Sequence, residues 1–427
     1  MNNKHIKINF FTFGCRLNRS ETGSLKHEFT QKGFTIVPTV QEADIIVLNT
    51  CTVTEKGSLD TYRYIKKMIK LSPSIQIAII GCLAEIEKEK LLKINNIQWV
   101  IGNAEKMELA EILLKHHQGK TSIPKIKRES FKVKFPSLDK DLTRANLKIH
   151  DGCDSFCSYC IIPFTRGPSR SRELNDILDE ARLMISSGYK EIVLTGINIG
   201  NYRYDKNNII NVLEKITSIK GDFRIRISSI EPGTILEKVI DLMKYNPKIC
   251  RFLHIPTQSC SDPILKKMRR NYLREDFKDI ILNAFNEIPD ICLGTDIITG
   301  FPGETKILFE EGYNFLEKLP LSYFHVFSYS KRPLAKSAYA KDIVPQETIK
   351  NRSKKLRELG NHKKNQYLSN FLNTTQNVLF ENNKHGLWSG LTDNFIRVKV
   401  KSNQNLANSN HLINLKTIQN KSFIGEL

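Results

Sequence analysis

The sequence predicts a mixed α/β protein built on parallel sheets, closed by a small all-β tail. Three observations predict it. Apolar, β-prone runs alternate with helical segments from residue 6 to about residue 300, and repeated βα units form parallel sheets covered by helices. After residue 374 the pattern becomes short β-prone runs between turns, as in small barrels. A length of 427 residues allows two or three domains at roughly 150 residues each.

The elements follow in order. Residues 6–13 form an apolar strand, and 20–32 read as a helix with Ser20 as N-cap and Gly33 as its stop. Residues 43–49, 76–80 and 99–101 read as strands. Residues 57–71, 84–93 and 105–115 read as the helices between and after them. These make a first unit over 1–118. Residues 119–140 lack periodicity and carry Lys120, Lys125, Lys127, Arg128, Lys132 and Lys134, so they read as a basic linker. A second unit, 141–373, has strands at 191–195, 223–228, 251–255 and 293–298, with helices at 174–187, 211–218 and 275–286. This is a partial βα barrel, whose active site is expected at the strand C-terminal ends. Residues 341–370 read as a basic helix, either a solvated face or a strut between barrel and tail that also touches phosphate. The tail, 374–427, has strands at 377–380, 385–390, 394–402 and 411–418.

Composition narrows the function. A hydrophobic fraction of 40% provides enough apolar material for several cores and excludes a disordered chain. Lys plus Arg minus Asp plus Glu is 65 − 45 = +20, which favours a polyanionic partner, nucleic acid ahead of a membrane surface. A Lys-rich genome would produce the same bias. No segment approaches the ~18 apolar residues of a membrane span. Residues 1–7 lack the apolar core of a signal peptide. The expectation is a cytoplasmic protein, in which nine cysteines mean metal or catalysis rather than disulfides.

Cys15, Cys51 and Cys82 each fall just beyond a predicted strand, about one βα unit apart. Parallel strands end on one edge, so the three thiols converge there. Gly14 and Gly81 leave room for tight turns. Convergent thiolates suit an iron–sulfur cluster or zinc, against the plainer reading of three buried small hydrophobes. Cys153, Cys157 and Cys160 are spaced C-x3-C-x2-C. Three thiolates on one loop can hold three irons of a cubane and leave the fourth open. A structural zinc wants a fourth ligand, and only His150 lies near. Tyr159 is placed to shield the metal and touch a cofactor. Cys250 and Cys292 lie in apolar strands and read as core.

The segment LKIHDGCDSFCSYCIIPFTRGPSRSR (147–172) resembles the radical S-adenosylmethionine superfamily, and its methylthiotransferase branch in particular. FGCRLNRSET (13–22), LNTCTVT (48–54) and IGCLAE (80–85) resemble that family's contexts for the three early cysteines. LTGINIGNY (194–202), RISSIEP (226–232), HIPTQSCSDPILKKMRR (254–270) and TDIITGFPGET (295–305) continue the likeness over nearly the whole chain. The resemblance implies an amino-terminal domain with an auxiliary 4Fe-4S cluster, a radical domain with a second 4Fe-4S cluster, and a TRAM-like RNA-binding tail. It implies S-adenosylmethionine as cofactor and radical removal of a C–H hydrogen, followed by insertion of a methylthio group. Local wording is most similar to the branch acting on threonylcarbamoyladenosine beside the tRNA anticodon. The implied partners are tRNA, an electron donor such as a flavodoxin or ferredoxin, and a sulfur donor system.

Polar residues after the barrel strands are expected to hold the cofactor: Gly196 and Asn198, Ser229 and Glu231, Gln258, Thr299 and Gly300. Arg166, Arg170 and Arg172 follow the radical loop and are expected on RNA phosphate. In the tail, Phe395, Arg397, Lys399 and Lys401 alternate with Ile396, Val398 and Val400, which suits stacking and backbone contacts on one sheet face. Arg16, Arg19 and Lys56 lie near the early cysteines and are candidates to meet the substrate's carboxylate. Two positions depart from the family pattern. Cys260 stands where Gly is usual, and SKRPLAKSA (330–338) replaces a Gly-Thr segment.

Overall fold

The computed structural model describes residues 6–116, 119–138, 143–233 and 235–427. The first unit is a six-stranded, all-parallel sheet in the order Thr35–Ile36, Lys7–Thr12, Ile45–Thr50, Gln76–Gly81, Ile97–Ile101, Lys120–Ser122. The central strands Ile45–Thr50 and Gln76–Gly81 are almost wholly buried because helices cover both faces. Continuous apolar runs such as Ile-Ile-Val-Leu suit that position. Helices Arg16–Gln31 and Leu109–Lys115 close one face, and helices Glu55–Leu71 and Cys82–Leu91 close the other. Lys120–Ser122 pairs with Ile97–Ile101, so part of the segment read as linker completes this sheet. The boundary expected near 140 falls outside the described residues.

Six parallel strands form the second unit, in sequence order: Arg144–Lys148, Glu191–Thr195, Arg224–Ile227, Phe252–His254, Cys292–Thr299 and Tyr323–Ser328. Two three-stranded sheets are joined by bridges Ile225 to Ile249 and Ser229 to His254. The result is a partial barrel, open between its first and last strands. Helix Arg16–Gln31 of the first unit packs beside Arg144–Lys148 at that opening. Two of the strands, Arg144–Lys148 and Tyr323–Ser328, escape sequence reading because they are short or interrupted by polar residues.

The tail is a closed five-stranded barrel with strands Thr375–Lys384, Leu387–Thr392, Arg397–Lys401, Asn410–Gln419 and Ser422–Glu426. Ile396, Val398 and Val400 are buried in it, as their alternation predicts. The basic helix Gln346–Ser369 packs along Tyr323–Ser328 and links barrel to tail. Several of its cations are engaged within the protein. Arg352 pairs with Glu304, Lys355 with Glu310, and Lys363 donates to the carbonyls of Glu317 and Leu319. No helix among the described residues is long and apolar enough to cross a membrane.

Candidate active site

A chamber of about 600 Å³ lies between the C-terminal edge of the first sheet and the barrel lumen. Cys15, Cys51, Cys82, Cys153, Cys157 and Cys160 all line it. Their positions follow from local geometry. Cys15 is the N-cap of helix Arg16–Gln31, Cys51 follows strand Ile45–Thr50, and Cys82 opens helix Cys82–Leu91 directly after its strand. Gly14 has φ +93°, and a Cβ there would lie 2.5 Å from Cys51 Cβ. Only glycine lets the first and second turns approach this closely. Gly152, before Cys153, has φ +70° and would place a Cβ 1.9 Å from the Pro168 carbonyl oxygen.

Donors are aimed at the sulfurs. Ser155 N–H lies 3.4 Å from Cys153 Sγ, Ile162 N–H 3.4 Å from Cys160 Sγ, and Arg270 Nη1 3.1 Å from Cys157 Sγ. Asn103 Nδ2 lies 3.7 Å from Cys82 Sγ. Such donors stabilise anionic, metal-bound thiolates. Burial, with the neighbouring cysteines adding to it, pushes the Cys51 thiol up to about 12. Burial likewise raises Cys160 to about 12. Thiols of this kind ionise readily only beside a metal. Two three-thiol sets with sulfur-directed donors therefore fit two iron–sulfur clusters. His150 belongs to neither set. It is fully buried, its Nε2 is 2.8 Å from Ser169 Oγ, and its Nδ1 accepts from Asn198 N–H.

Between the cysteines and the lumen floor run the other lining groups. Tyr159, Gly196, Asn198, Ser229, Glu231 and Gln258 all face the chamber. Asn198 Nδ2 donates to Glu231 at 3.4 Å, and Arg270 donates to the other carboxylate oxygen at 3.1 Å. Thr299 and Gly300 are corrections. Strand alternation turns Asp296 and Ile298 into the chamber and Thr299 away from it. Thr299 Oγ1 meets Ser353 Oγ at 2.6 Å, and a Cβ on Gly300 would strike Ile349. Both serve the packing of the strut helix.

The lower wall is aromatic, with Phe252, Tyr323, Phe327 and Phe395 beside His254 and His325. Ring centroids of Phe252 and Phe395 are 4.5 Å apart, and those of His254 and Tyr323 are 5.8 Å apart. Asp296 accepts from His254 Nε2 at 2.9 Å and His325 Nδ1 at 3.1 Å. Burial opposes ionisation of Asp296, but the two imidazole hydrogen bonds prevail and hold it down to about 2. Sequence reasoning missed this wall. Apart from Phe395, its residues alternate along strands 252–254, 292–299 and 323–328, whereas the sequence pattern points only to positions beyond strand ends.

The RNA assignments of Arg166, Arg172 and Phe395 are also corrected. Arg166 and Arg172 are each 1% exposed. Arg166 donates to Glu21, Asp151 and Asn18, and Arg172 to Asp176 and Glu180. Neither can reach a phosphate, because the buried carboxylates around the radical loop require these cations as partners. Arg170 is half-buried against Asp151 and the Phe131 ring. Phe395 precedes its strand at φ +64° and points into the chamber, not onto the outer face of the tail. Arg397 is ion-paired with Glu381, while Lys399 is half-buried and Lys401 exposed on that outer face. Arg16 lines the chamber, whereas Arg19 and Lys56 are exposed outside it.

Cys250 and Cys292 are buried beside Phe252, away from either cysteine set, as expected. Cys260 is also core, 2% exposed, and the left-handed residue of its turn is Gln258 at φ +65°. A side chain at 260 therefore costs the turn nothing. The 330–338 segment clasps the two halves of the site. Arg332 donates to Thr52 Oγ1 beside Cys51, Ser330 Oγ accepts from Glu55 N–H, and Ser337 N–H donates to the Ser158 carbonyl.

Two family models match this chain. Residues 7–102 match the family described as uncharacterized protein family UPF0004, and residues 147–316 match the radical SAM superfamily. The threonylcarbamoyladenosine tRNA methylthiotransferase MtaB of Aquifex aeolicus is 34% identical over 92% of this chain and 96% of its own. The chain belongs to the radical S-adenosylmethionine methylthiotransferase family. Within the family, the Bacillus subtilis protein of the same name is also 34% identical, over 93% of this chain and 91% of its own. A tRNA-2-methylthio-N(6)-dimethylallyladenosine synthase of Endomicrobium trichonymphae is 31% identical over 97% and 98%. Among solved structures, the radical S-adenosylmethionine methyltransferase TsrM of Kitasatospora setae shares the fold, with TM-score 0.58 at 14% identity over 79% of this chain and 77% of that one.

Proposed function

We propose that this protein is a tRNA methylthiotransferase that converts N6-threonylcarbamoyladenosine at position 37 to its 2-methylthio derivative. One observation carries the reading: both cysteine triplets open on a single chamber. The reaction replaces a base C2–H by C2–S–CH3, so hydrogen removal and sulfur delivery must meet at one carbon. When bound, a 4Fe-4S cluster with S-adenosylmethionine supplies an oxidant for an unactivated C–H bond, and the auxiliary cluster supplies sulfur. Cys153, Cys157 and Cys160 would hold the first, and Cys15, Cys51 and Cys82 the second. Asn198, Ser229, Glu231, Gln258 and the backbone at Gly196 would bind the cofactor. The aromatic wall at Phe252, Tyr323 and Phe395 offers the adenine a stacking surface, worth about 1–3 kcal/mol per base in comparable sites. The lumen walls exclude water, which protects a reactive intermediate from quenching.

The chain reads as three working units: an auxiliary-cluster domain, a radical domain and an RNA-binding tail with Lys399 and Lys401 on its outer face. A cytoplasmic setting, a flavodoxin- or ferredoxin-like electron donor and a separate sulfur source complete the reading. The threonylcarbamoyl branch rests on the two relatives of that name at 34% identity. Mass spectrometry of tRNA nucleosides from cells with and without the gene tests it. Deletion should remove 2-methylthio-N6-threonylcarbamoyladenosine and leave its unthiolated precursor. Loss of the methylthio group from the prenylated nucleoside instead would assign the chain to the dimethylallyl branch.

A further inference from the structure

Four arginines line the chamber: Arg16, Arg166, Arg226 and Arg270. Three are committed to partners. Arg166 is held by Glu21 and Asp151. Arg226 donates to both oxygens of Glu191 and to the carbonyls of Thr392 and Asp393. Arg270 is shared by Glu231 and Cys157. Arg16 has no hydrogen-bond or ion-pair partner among the described residues. Its guanidinium is charged at neutral pH, as arginine always is in proteins. Glu191, the acid beside Arg226, is already shared by Arg224 and Arg226. A partly buried guanidinium without a partner is unfavourable until an anion arrives.

The position of that charge matters. Arg16 follows a cluster cysteine, and it lines the same chamber as Arg226 and as Tyr323 of the aromatic wall. A base presented for chemistry turns C2 toward the cysteines. Its N6 is meta to C2, so the N6 substituent diverges from the cysteine end toward that wall. Resting on the substrate reading above, we infer that Arg16 receives the carboxylate of the threonylcarbamoyl group and thereby selects this adenosine over prenylated ones. A prenyl group at the same place would cover the guanidinium and leave it unpaired, which is the penalty that builds specificity. A backbone phosphate of the RNA is the competing anion.

The test uses the reconstituted holoenzyme and anticodon stem-loop RNAs that carry either threonylcarbamoyladenosine or its methyl ester. The ester keeps the RNA phosphates and removes the carboxylate charge. Wild type should prefer the acid by about ten- to a hundredfold in kcat/KM, the range of one charge-assisted pair. Arg16→Gln should abolish that preference, and Arg16→Lys should restore part of it. Iron and sulfide analysis of each variant reports cluster content. Equal use of acid and ester by wild type overturns the assignment. So does an equal loss on both RNAs in Arg16→Gln, which would place Arg16 on phosphate or on the cluster. A wild type that modifies prenylated RNA and ignores threonylcarbamoyl RNA overturns the substrate reading itself, and is visible without any variant.

Discussion

Glu21 sits at the centre of a buried ion network beneath the chamber, and replacing it with Gln should unlock the two halves of the site. The carboxylate is 2% exposed. One oxygen accepts from Lys148 at 2.9 Å and Arg166 Nη1 at 3.1 Å, the other from Lys106 at 2.5 Å and Arg166 Nη2 at 3.2 Å. Lys106 comes from the first unit, and Lys148 and Arg166 from the barrel. Counting Glu21, Asp151, Lys106, Lys148 and Arg166, the formal charge changes from +1 to +2 without any new access to water. Removing one partner of a buried ionic group costs about 3–5 kcal/mol. The lower end applies, because Arg166 keeps Asp151 and Lys106 keeps Asn103. Only two tryptophans are present, Trp99 in the first sheet and Trp388 in the tail. Urea unfolding of a Trp388→Phe background therefore reports the first unit alone. A loss of about 3 kcal/mol moves its midpoint by roughly 2 M at a slope of about 1.5 kcal/mol per molar. In Glu21→Gln/Arg166→Gln the penalties should be less than additive, since each removes the other's unpaired charge. A midpoint shift worth under about 1 kcal/mol, or simple additivity, would refute the view that this network holds the units together.

Three further outcomes are expected. Replacing Cys153, Cys157 and Cys160 with Ala should abolish S-adenosylmethionine cleavage and leave one cluster; replacing Cys15, Cys51 and Cys82 should retain cleavage but stop sulfur insertion. Iron and sulfide analysis with product assays would contradict this if wild type held zinc or a single cluster. Burial lowers His150 from 6.5 to about 4, so between those values the unfolded chain binds more protons and stability rises with pH. That contribution, about 3 kcal/mol at neutral pH, is lost as pH falls from about 6.5 toward 4; His150→Gln should flatten the apoprotein's stability–pH slope within that window. Lys399→Gln and Lys401→Gln should each reduce the log–log salt slope of tRNA binding by roughly 0.7–0.9, and a filter-binding titration with unchanged slopes would remove them from the RNA face.

Sequence and structure part company where side-chain direction matters. Strand ends and cysteine spacing are one-dimensional signals, so the convergence of Cys15, Cys51 and Cys82 was legible from βα periodicity alone. Helix starts were less so. Ser20 reads as an N-cap, yet the helix begins at Arg16 and Ser20 Oγ donates to the Asn146 carbonyl of the barrel. A hydroxyl that serves a distant backbone looks locally like a cap. Charge misled in the same way. Arg166 and Arg172 resemble surface cations because their acids, Glu21, Asp151, Asp176 and Glu180, lie on other elements. Phe395 alternates correctly with its neighbours, but the strand starts two residues later, at Arg397.

Phe395 also changes how the tail can be dissected. Arg224, Arg226 and Arg251 fasten residues 391–393 to the barrel, and Phe395 closes the chamber wall against Phe252. Truncating the chain before residue 374 therefore does not yield a catalytic core lacking only RNA affinity. It removes part of the wall and strips the Thr392 and Asp393 carbonyls from Arg226. Chimeras that exchange tails between relatives carry the same confound. A change in base preference after such an exchange can originate at this one ring as readily as in the transplanted RNA surface, and a chimera that retains the host's Phe395 and its flanking turn separates the two.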